Sequence, residues 1–182
     1  MAVKPVLKIG NPLLAKKSEP VENIEELLNS SLLQDMMDTM EAQKGAGIAA
    51  PQIGELKRVV IFGIKQNPRY PNVEPVPTTI LINPVIEPLS NEMVQGWEGC
   101  LSVPGFRGLV PRYLKILYKG IDENGSTISR EVEGFHARVV QHEVDHLDGI
   151  VYPQRILDLT NFGFIDELEA SGRIPAIAVQ DD

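Results

Sequence analysis

Cysteine is nearly absent from this sequence, which contains one, Cys100, among 182 residues. A lone cysteine cannot form an internal disulfide framework, so the composition fits a reducing compartment. Long apolar runs are also lacking, since the longest spans about six residues against the roughly 20 that cross a bilayer. The first residues contain no apolar run followed by a small-residue cleavage site. We therefore expect a cytoplasmic protein that is neither exported nor membrane-spanning.

Positive charge is scarce as well: 17 lysines and arginines against 25 aspartates and glutamates give a formal net charge of −8. Nucleic-acid affinity rests on clustered cations that release counterions, so we expect no direct binding to nucleic acid. The chain does have a 43% apolar fraction and enough length to bury a sizeable core. The simplest organisation is one domain over residues 1–182, in which the tail from about residue 171 is peripheral.

Apolar residues recur at helical spacing in three segments. A methionine-rich stripe over residues 31–44 predicts a core-facing helix that Gly45 caps at its C-terminus. The pattern over 135–147 predicts a second helix, which Gly149 stops, and an amphipathic pattern over 159–170 predicts a third.

The region between the first two predicted helices carries β-type runs. Because strands and helices do not alternate, the order favours an α+β domain with antiparallel sheet. The DENG segment at 122–125 predicts a hairpin turn, and the prolines within 65–78 predict a surface loop. The predicted strands cover residues 59–62, 79–82, 114–118 and 126–132.

The segment HEVDH at residues 142–146 is the most informative motif. On a helix, His142 and His146 lie one turn apart on the same face, where two imidazoles can bind one metal ion. Glu143 projects near the same centre, in the position of a general base. Two of the only three histidines fall at this spacing, which favours metal binding, whereas His136 is interpreted as a surface or supporting residue.

Two histidines leave a catalytic metal site incomplete, because such sites normally take three protein ligands. Cys100 is one candidate for the third ligand, and Glu167 or Glu169 are others, at the distance seen in HExxH…Glu metalloendopeptidases. The segment GAGIAAPQ at 45–52 allows close backbone approach, and the amide N–H of Gln52 could donate to an oxyanion. Residue chemistry alone leaves the third ligand open.

Three segments in this order, GAGIAAPQ (45–52), EGCLS (98–102) and HEVDH (142–146), resemble the signature motifs of the peptide deformylase family. GNPLL at 10–14 and LDGIVY at 147–152 are similar to the family as well, so that the resemblance covers about residues 5–168. It implies antiparallel sheets packed around a central metal-binding helix, with an N-terminal and a C-terminal helix. The implied activity is removal of the N-formyl group from the formylmethionine of nascent polypeptides, with release of formate.

The resemblance also implies roles for individual residues. Cys100, His142 and His146 would be the metal ligands, a metal-bound water the nucleophile, and Glu143 the general acid/base. A second group of residues would hold the formyl oxygen and the peptide and would support the metal ligands. These are Gln52 and the Leu101 N–H at the formyl oxygen, Gly47, Ile48, Gly99 and Arg107 along the peptide, and Glu98 and Asp145 in support.

One divalent ion per chain is implied. Thiolate ligation suits a soft ion, and the family commonly uses Fe(II), which Zn, Ni or Co can replace. The implied partners are N-formylmethionyl nascent peptides, with transient proximity to the ribosome. Two alternatives remain, an HExxH…Glu metalloendopeptidase and a catalytically silent homologue that binds nascent chains or the ribosome.

Two residues depart from the bacterial pattern of the family. Ala46 is smaller than the branched residue common at its position. Arg138 stands one turn before His142, where many bacterial members carry an apolar residue, and the segment GFHARVVQ at 134–141 resembles the organelle-type branch. Both departures concern the shape of the methionine pocket, and neither changes the predicted chemistry.

Overall fold

The computed structural model describes residues 2–64 and 74–175. Within these residues, two antiparallel sheets and four α-helices make up a mixed α+β fold, as the sequence predicts at this level. The helices are α1 (Ile24–Leu28), α2 (Leu32–Ala42), α3 (Gly134–Leu147) and α4 (Ile165–Ala170). The strands are β1 (Gly47–Ala49), β2 (Val59–Ile64), β3 (Val76–Pro88), β4 (Met93–Cys100), β5 (Val103–Tyr113), β6 (Lys115–Ile121), β7 (Thr127–Glu133) and β8 (Phe162–Phe164).

The larger sheet has five strands in the order β1-β2-β3-β6-β7, and the smaller has three in the order β4-β5-β8. Each pairing is antiparallel. The predicted hairpin joins β6 to β7, and its turn is closed by the Asp122 carboxylate, which accepts from the N–H groups of Asn124 and Ser126. Gly125 takes the positive φ, +76°, that this turn requires.

Strand β2 is buried on both faces, which explains its unbroken apolar sequence. Val60 and Phe62 pack with the α3 residues Val140 and Val144 in one core cluster. The alternate residues Val59 and Ile61 pack with Met36 and Met40 of α2 in a second cluster. The two helices therefore cover opposite faces of the larger sheet, and α3 also contacts β5 of the smaller sheet. The predicted core role of the methionine stripe is confirmed.

The C-terminal end of α2 differs from the prediction. Lys44, with φ of +50°, takes the left-handed conformation that was expected at Gly45, while the Gly45 N–H donates to the Met40 carbonyl. By contrast, α3 matches its predicted bounds closely, and Gly149 has φ of +72° beyond its end.

Two further predictions need correction. The segment 159–170 is not one helix: it divides into a 3-10 turn at Leu159–Asn161, strand β8 and the short helix α4, because Phe162 pairs with Gly108 of β5. The predicted loop over 65–78 is wrong at its end, where β3 begins at Val76, and residues 65–73 lie outside the described residues. Residues 176–182, the end of the predicted tail, also lie outside the described residues. Within the described ranges no helix is long and apolar enough to cross a bilayer.

Candidate metal centre

Strand β4 and helix α3 bring the predicted ligands together. Cys100 is the last residue of β4, and His142 and His146 lie one turn apart near the C-terminal end of α3. One ligand atom from each of the three residues lies within 4.8 Å of the other two. Cys100 Sγ is 3.2 Å from His146 Nε2, and the imidazole centroids are 5.2 Å apart. Among the described residues no other group of three or more His, Cys, Asp or Glu meets this criterion.

The surroundings of Cys100 favour its thiolate. Burial raises the pKa of the thiol, but the neighbouring imidazoles of His146 and His142 outweigh burial and hold that pKa well below its ordinary value. The Ser102 N–H also points at Sγ, at 3.4 Å. A thiolate is the form of cysteine that binds metal.

Glu98 fixes the orientation of His142. Its buried carboxylate accepts from His142 Nδ1 at 2.8 Å, which leaves Nε2 as the nitrogen with a free lone pair. Arg112 donates to both oxygens of Glu98 at 2.9 Å, through Nε and Nη2. Burial raises the pKa of Glu98, but the bonds from Arg112 and His142 lower it well below its usual range. Glu98 is therefore a carboxylate that holds the His142 imidazole.

Asp145 extends this network away from the ligands. Its carboxylate accepts from Arg112 Nη1 at 2.5 Å and from Arg155 at 2.7 and 3.1 Å. Sequence reasoning named Glu98 and Asp145 but missed Arg112, which joins them while only 4% exposed. The available signal was its position two residues after Val110, which places both side chains on the buried face of β5.

Glu143 lies beside the ligands in a buried position, 5% exposed. Its Oε2 atom has no hydrogen-bond partner within residues 2–64 and 74–175. Burial is the main cause that raises the pKa of this carboxyl to about 7. Gly47 of β1 packs against it so closely that a Cβ at Gly47 would overlap Glu143 Oε1. A buried carboxyl with a pKa near neutrality suits proton transfer in both directions.

Gln52 holds its amide toward the thiolate. Its Oε1 accepts from the Ala49 N–H at 2.8 Å, so Nε2 is turned to Cys100 Sγ at 3.5 Å and to Ser102 Oγ at 3.1 Å. Leu101 follows Cys100 directly, which places its backbone N–H one residue from the predicted ligand. Both predicted formyl-oxygen donors therefore lie next to Cys100. Gln52 belongs to the turn that follows β1, and Leu101 follows the end of β4.

The predicted peptide-binding residues divide into two groups. Gly47 and Ile48 lie on β1, an edge strand paired on one side only within the described sheet. The Ile48 side chain is fully buried in the core, so its backbone alone is available to a peptide. Gly99 and Arg107 form the second group, because the Arg107 guanidinium packs over Gly99 where a Cβ would stand.

The alternative third ligands are not brought to the histidines. Glu167 and Glu169 lie on α4, and neither joins the ligand group found in the described ranges. His136 packs instead against Phe62 and Tyr118, with ring centroids 5.7 and 5.9 Å apart. The interpretation of His136 as a surface or supporting residue stays a prediction.

The donor set fits a soft divalent ion. One thiolate and two imidazoles supply three ligands, the number typical of a catalytic site that keeps one position for water or substrate. The second ring nitrogen of His142 is held by a carboxylate, as is usual for metal-bound histidine.

Comparisons with known proteins agree with this arrangement. The model of the family "Polypeptide deformylase" matches residues 3–162. The chain belongs to this family. It is 54% identical over 180 residues to "Peptide deformylase 1" of Nitrosomonas europaea, with 99% of each chain covered. It is 58% identical over 163 residues to "Peptide deformylase 1" of Bordetella pertussis, covering 90% of this chain and 93% of the relative.

A solved deformylase has the same fold. The Met-Ala-Ser-bound crystal structure of a class I type b peptide deformylase from Acinetobacter baumannii superposes with a TM-score of 0.80 at 42% identity, covering 85% of this chain and 99% of that one. The predicted family and enzyme class are confirmed: the chain is a metal-dependent hydrolase that removes the N-formyl group from nascent peptides. The endopeptidase and silent-homologue alternatives are not favoured.

Deformylase activity should depend on the absence of a side chain at residue 47. In Gly47→Ala the new Cβ overlaps the Glu143 carboxylate, which must shift. Because a displacement of about 1 Å can cost 10²-fold in rate, we expect kcat for formate release to fall by about that factor. Gly163→Ala is the matched control, since its Cβ would make ordinary contact with Leu168 at 3.6 Å. Equal rates in both variants would contradict the assigned position of Glu143.

Proposed function

We propose that this deformylase uses Cys100, His142 and His146 to hold one divalent metal ion and Glu143 to transfer protons, acting on N-terminal formylmethionine. The observation that carries the proposal is the convergence of the one cysteine and two of the three histidines within 4.8 Å beside a buried glutamate. In this proposal α3 is the metal-binding helix. When bound, the ion polarises the formyl carbonyl and lowers the pKa of the attacking water.

Different residues of the chain transfer the proton and stabilise the developing charge. Glu143 accepts a proton from water as the oxygen–carbon bond forms at the formyl carbon. Gln52 Nε2 and the Leu101 N–H donate to the formyl oxygen, where negative charge develops, and one such donor contributes about 2.7–4 kcal/mol. Glu143 then returns the proton to the amine nitrogen as the carbon–nitrogen bond breaks. The products are formate and a peptide with a free amino terminus.

The peptide lies along β1 in this account. An edge strand presents backbone N–H and C=O groups to an extended chain, and Gly47 lets that chain approach the reacting centre. Arg107, which packs over Gly99 next to Cys100, would contact the peptide as well. Glu98 supports the site by holding His142, and Asp145 supports it by accepting from Arg112.

The wider assignments follow from the same proposal. The native ion is Fe(II), because a thiolate favours a soft metal, and Zn, Ni or Co can take its place. Residues 1–182 form one catalytic domain that acts in the cytoplasm on nascent chains, in transient proximity to the ribosome.

Substrate and metal dependence can be tested in one experiment. The protein loaded with one equivalent of metal should release formate from formyl-Met-Ala-Ser and leave acetyl-Met-Ala-Ser intact. A chelator should abolish the release, and added Fe(II), Ni(II) or Co(II) should restore it. Formate is measured by coupled oxidation, and the metal content of the same samples by elemental analysis. Turnover that survives complete metal removal would overturn the proposal.

A further inference from the structure

Arg138, one turn before His142 on α3, bonds α3 to the smaller sheet. Its Nη1 donates to Glu98 Oε1 at 2.8 Å, to the Val110 carbonyl at 2.8 Å and to the Gly96 carbonyl at 3.4 Å. Its Nη2 donates to the Val94 carbonyl at 2.6 Å. One guanidinium therefore bonds two alternate residues of β4, the β5 residue that pairs with Gly96, and the carboxylate that holds His142.

Gly96 makes room for this guanidinium. A Cβ at Gly96 would stand 2.7 Å from Arg138 Cζ and 2.8 Å from Nη2, closer than packed atoms approach. Gly96 has no positive φ, so conformational freedom does not explain the residue there. The glycine and the arginine fit each other as a pair.

The location of this pair matters for the metal ligands. The thiolate ligand lies at the end of β4, whereas both imidazole ligands lie on α3, so the relative position of the two elements sets the ligand geometry. Arg112 already holds both oxygens of Glu98, so the additional contribution of Arg138 is its bonds to the three β4 and β5 carbonyls. The Arg138 guanidinium forms an ion pair with the Glu98 carboxylate, which offsets the positive charge of Arg138 near the metal ligands.

We propose that Arg138 is a positioning residue that fixes β4 against α3 and thereby preorganises the metal site, raising its affinity for the ion. The proposal rests on the ligand assignment made under the proposed function. Residues that orient metal ligands from outside the coordination sphere typically contribute 10–100-fold in affinity. The planar fork of arginine can reach several carbonyls at once, which a lysine ammonium on a single flexible stem cannot do.

The test is the zinc affinity of the purified full chain, measured by competition with a chromophoric chelator. Arg138→Met should weaken zinc binding by about 10–100-fold, and Arg138→Lys should recover only part of the loss. Gly96→Ala, which keeps the arginine but displaces its guanidinium, should weaken binding in the same direction. Added to Arg138→Met, Gly96→Ala should cause no further loss. The d–d absorption of the Co(II)-loaded variants should broaden, reporting a less uniform ligand geometry.

Arg130→Met is the matched control, because Arg130 lies on β7 and bonds Thr79 of β3, away from β4 and the ligands. Its zinc affinity should equal that of the unmodified chain. If Arg138→Met does not fold without metal, as judged by circular dichroism, Gly96→Ala and Arg138→Lys decide the outcome. Unchanged or tighter zinc binding in the folded variants would overturn the proposal. If the unmodified chain itself shows no thiolate-to-Co(II) charge-transfer band, the ligand assignment fails instead.

Discussion

Replacing Glu143 with glutamine is expected to reduce formate release by about 10²–10⁴-fold, the usual contribution of a positioned general acid/base. The change preserves shape and burial but removes the group that accepts and returns the proton. The other residues near the ion stay in place, so the variant should bind one metal ion as tightly as the unmodified chain. Single-turnover rates on formyl-Met-Ala-Ser, with metal content measured on the same sample, separate these two effects.

Glu167→Gln is the matched control for this experiment. Glu167 carries the same chemical group on the exposed surface of α4, and the endopeptidase alternative would make it a metal ligand. Its replacement should leave both metal content and formate release unchanged. Turnover by Glu143→Gln at the unmodified rate would refute the role of Glu143.

Replacing Cys100 with serine is expected to remove the metal. The thiol of Cys100 has a pKa held well below its ordinary value by the two imidazoles, despite its burial, and so offers a thiolate. A serine hydroxyl stays protonated and binds soft ions poorly. Loss of a residue that only orients a ligand typically lowers metal affinity by about 10–100-fold. Loss of a direct ligand should cost more, so zinc affinity should fall by more than about 100-fold. Dialysis followed by elemental analysis, together with the formate assay, measures the loss.

Ser102→Ala tests whether the effect belongs to the ligand. Ser102 stands two residues from Cys100, and its hydroxyl contacts Gln52. The variant should keep its metal, because it removes no ligand atom. Metal and activity retained in Cys100→Ser would instead support a carboxylate as third ligand.

Local patterns were sufficient to predict the elements whose apolar period is regular. Helix α3 follows from its 3.6-residue period, which also places His142 and His146 on one face. Strand β2 follows from an apolar run that the structure buries on both sides. The convergence of Cys100 on these histidines did not follow from spacing, since 42 residues and three strands separate Cys100 from His142. The family resemblance supplied that contact.

The smaller sheet could not be predicted from the same patterns. Strands β4 and β5 contain Gly96, Gly99, Gly105 and Gly108, which interrupt the alternation of apolar and polar side chains. At several of these glycines a Cβ would overlap a neighbouring side chain. At Gly96, for example, it would overlap the Arg138 guanidinium. The sequence pattern predicts helix at strand β8 because Phe162 matches a helical period, whereas the pairing of β8 with β5 depends on residues distant in sequence.

The bonds from Arg112 and Arg138 to Glu98 were beyond sequence reasoning for a related reason. Arginine is usually a surface residue, and only the fold shows that these two share a carboxylate. Together they surround Glu98 with cations and keep it ionised next to His142. The predicted supporting role of Glu98 therefore depends on partners that the linear sequence does not identify.

X-ray absorption at the zinc edge of the zinc-loaded chain counts the atoms that bind the ion and so tests the assigned ligands. We expect one sulfur at about 2.3 Å and two imidazole nitrogens at about 2.0–2.1 Å, with a light atom in the remaining position. The sulfur should disappear in Cys100→Ser. If only nitrogen and oxygen bind zinc in the unmodified chain, Cys100 is not a ligand and the assigned metal site is wrong.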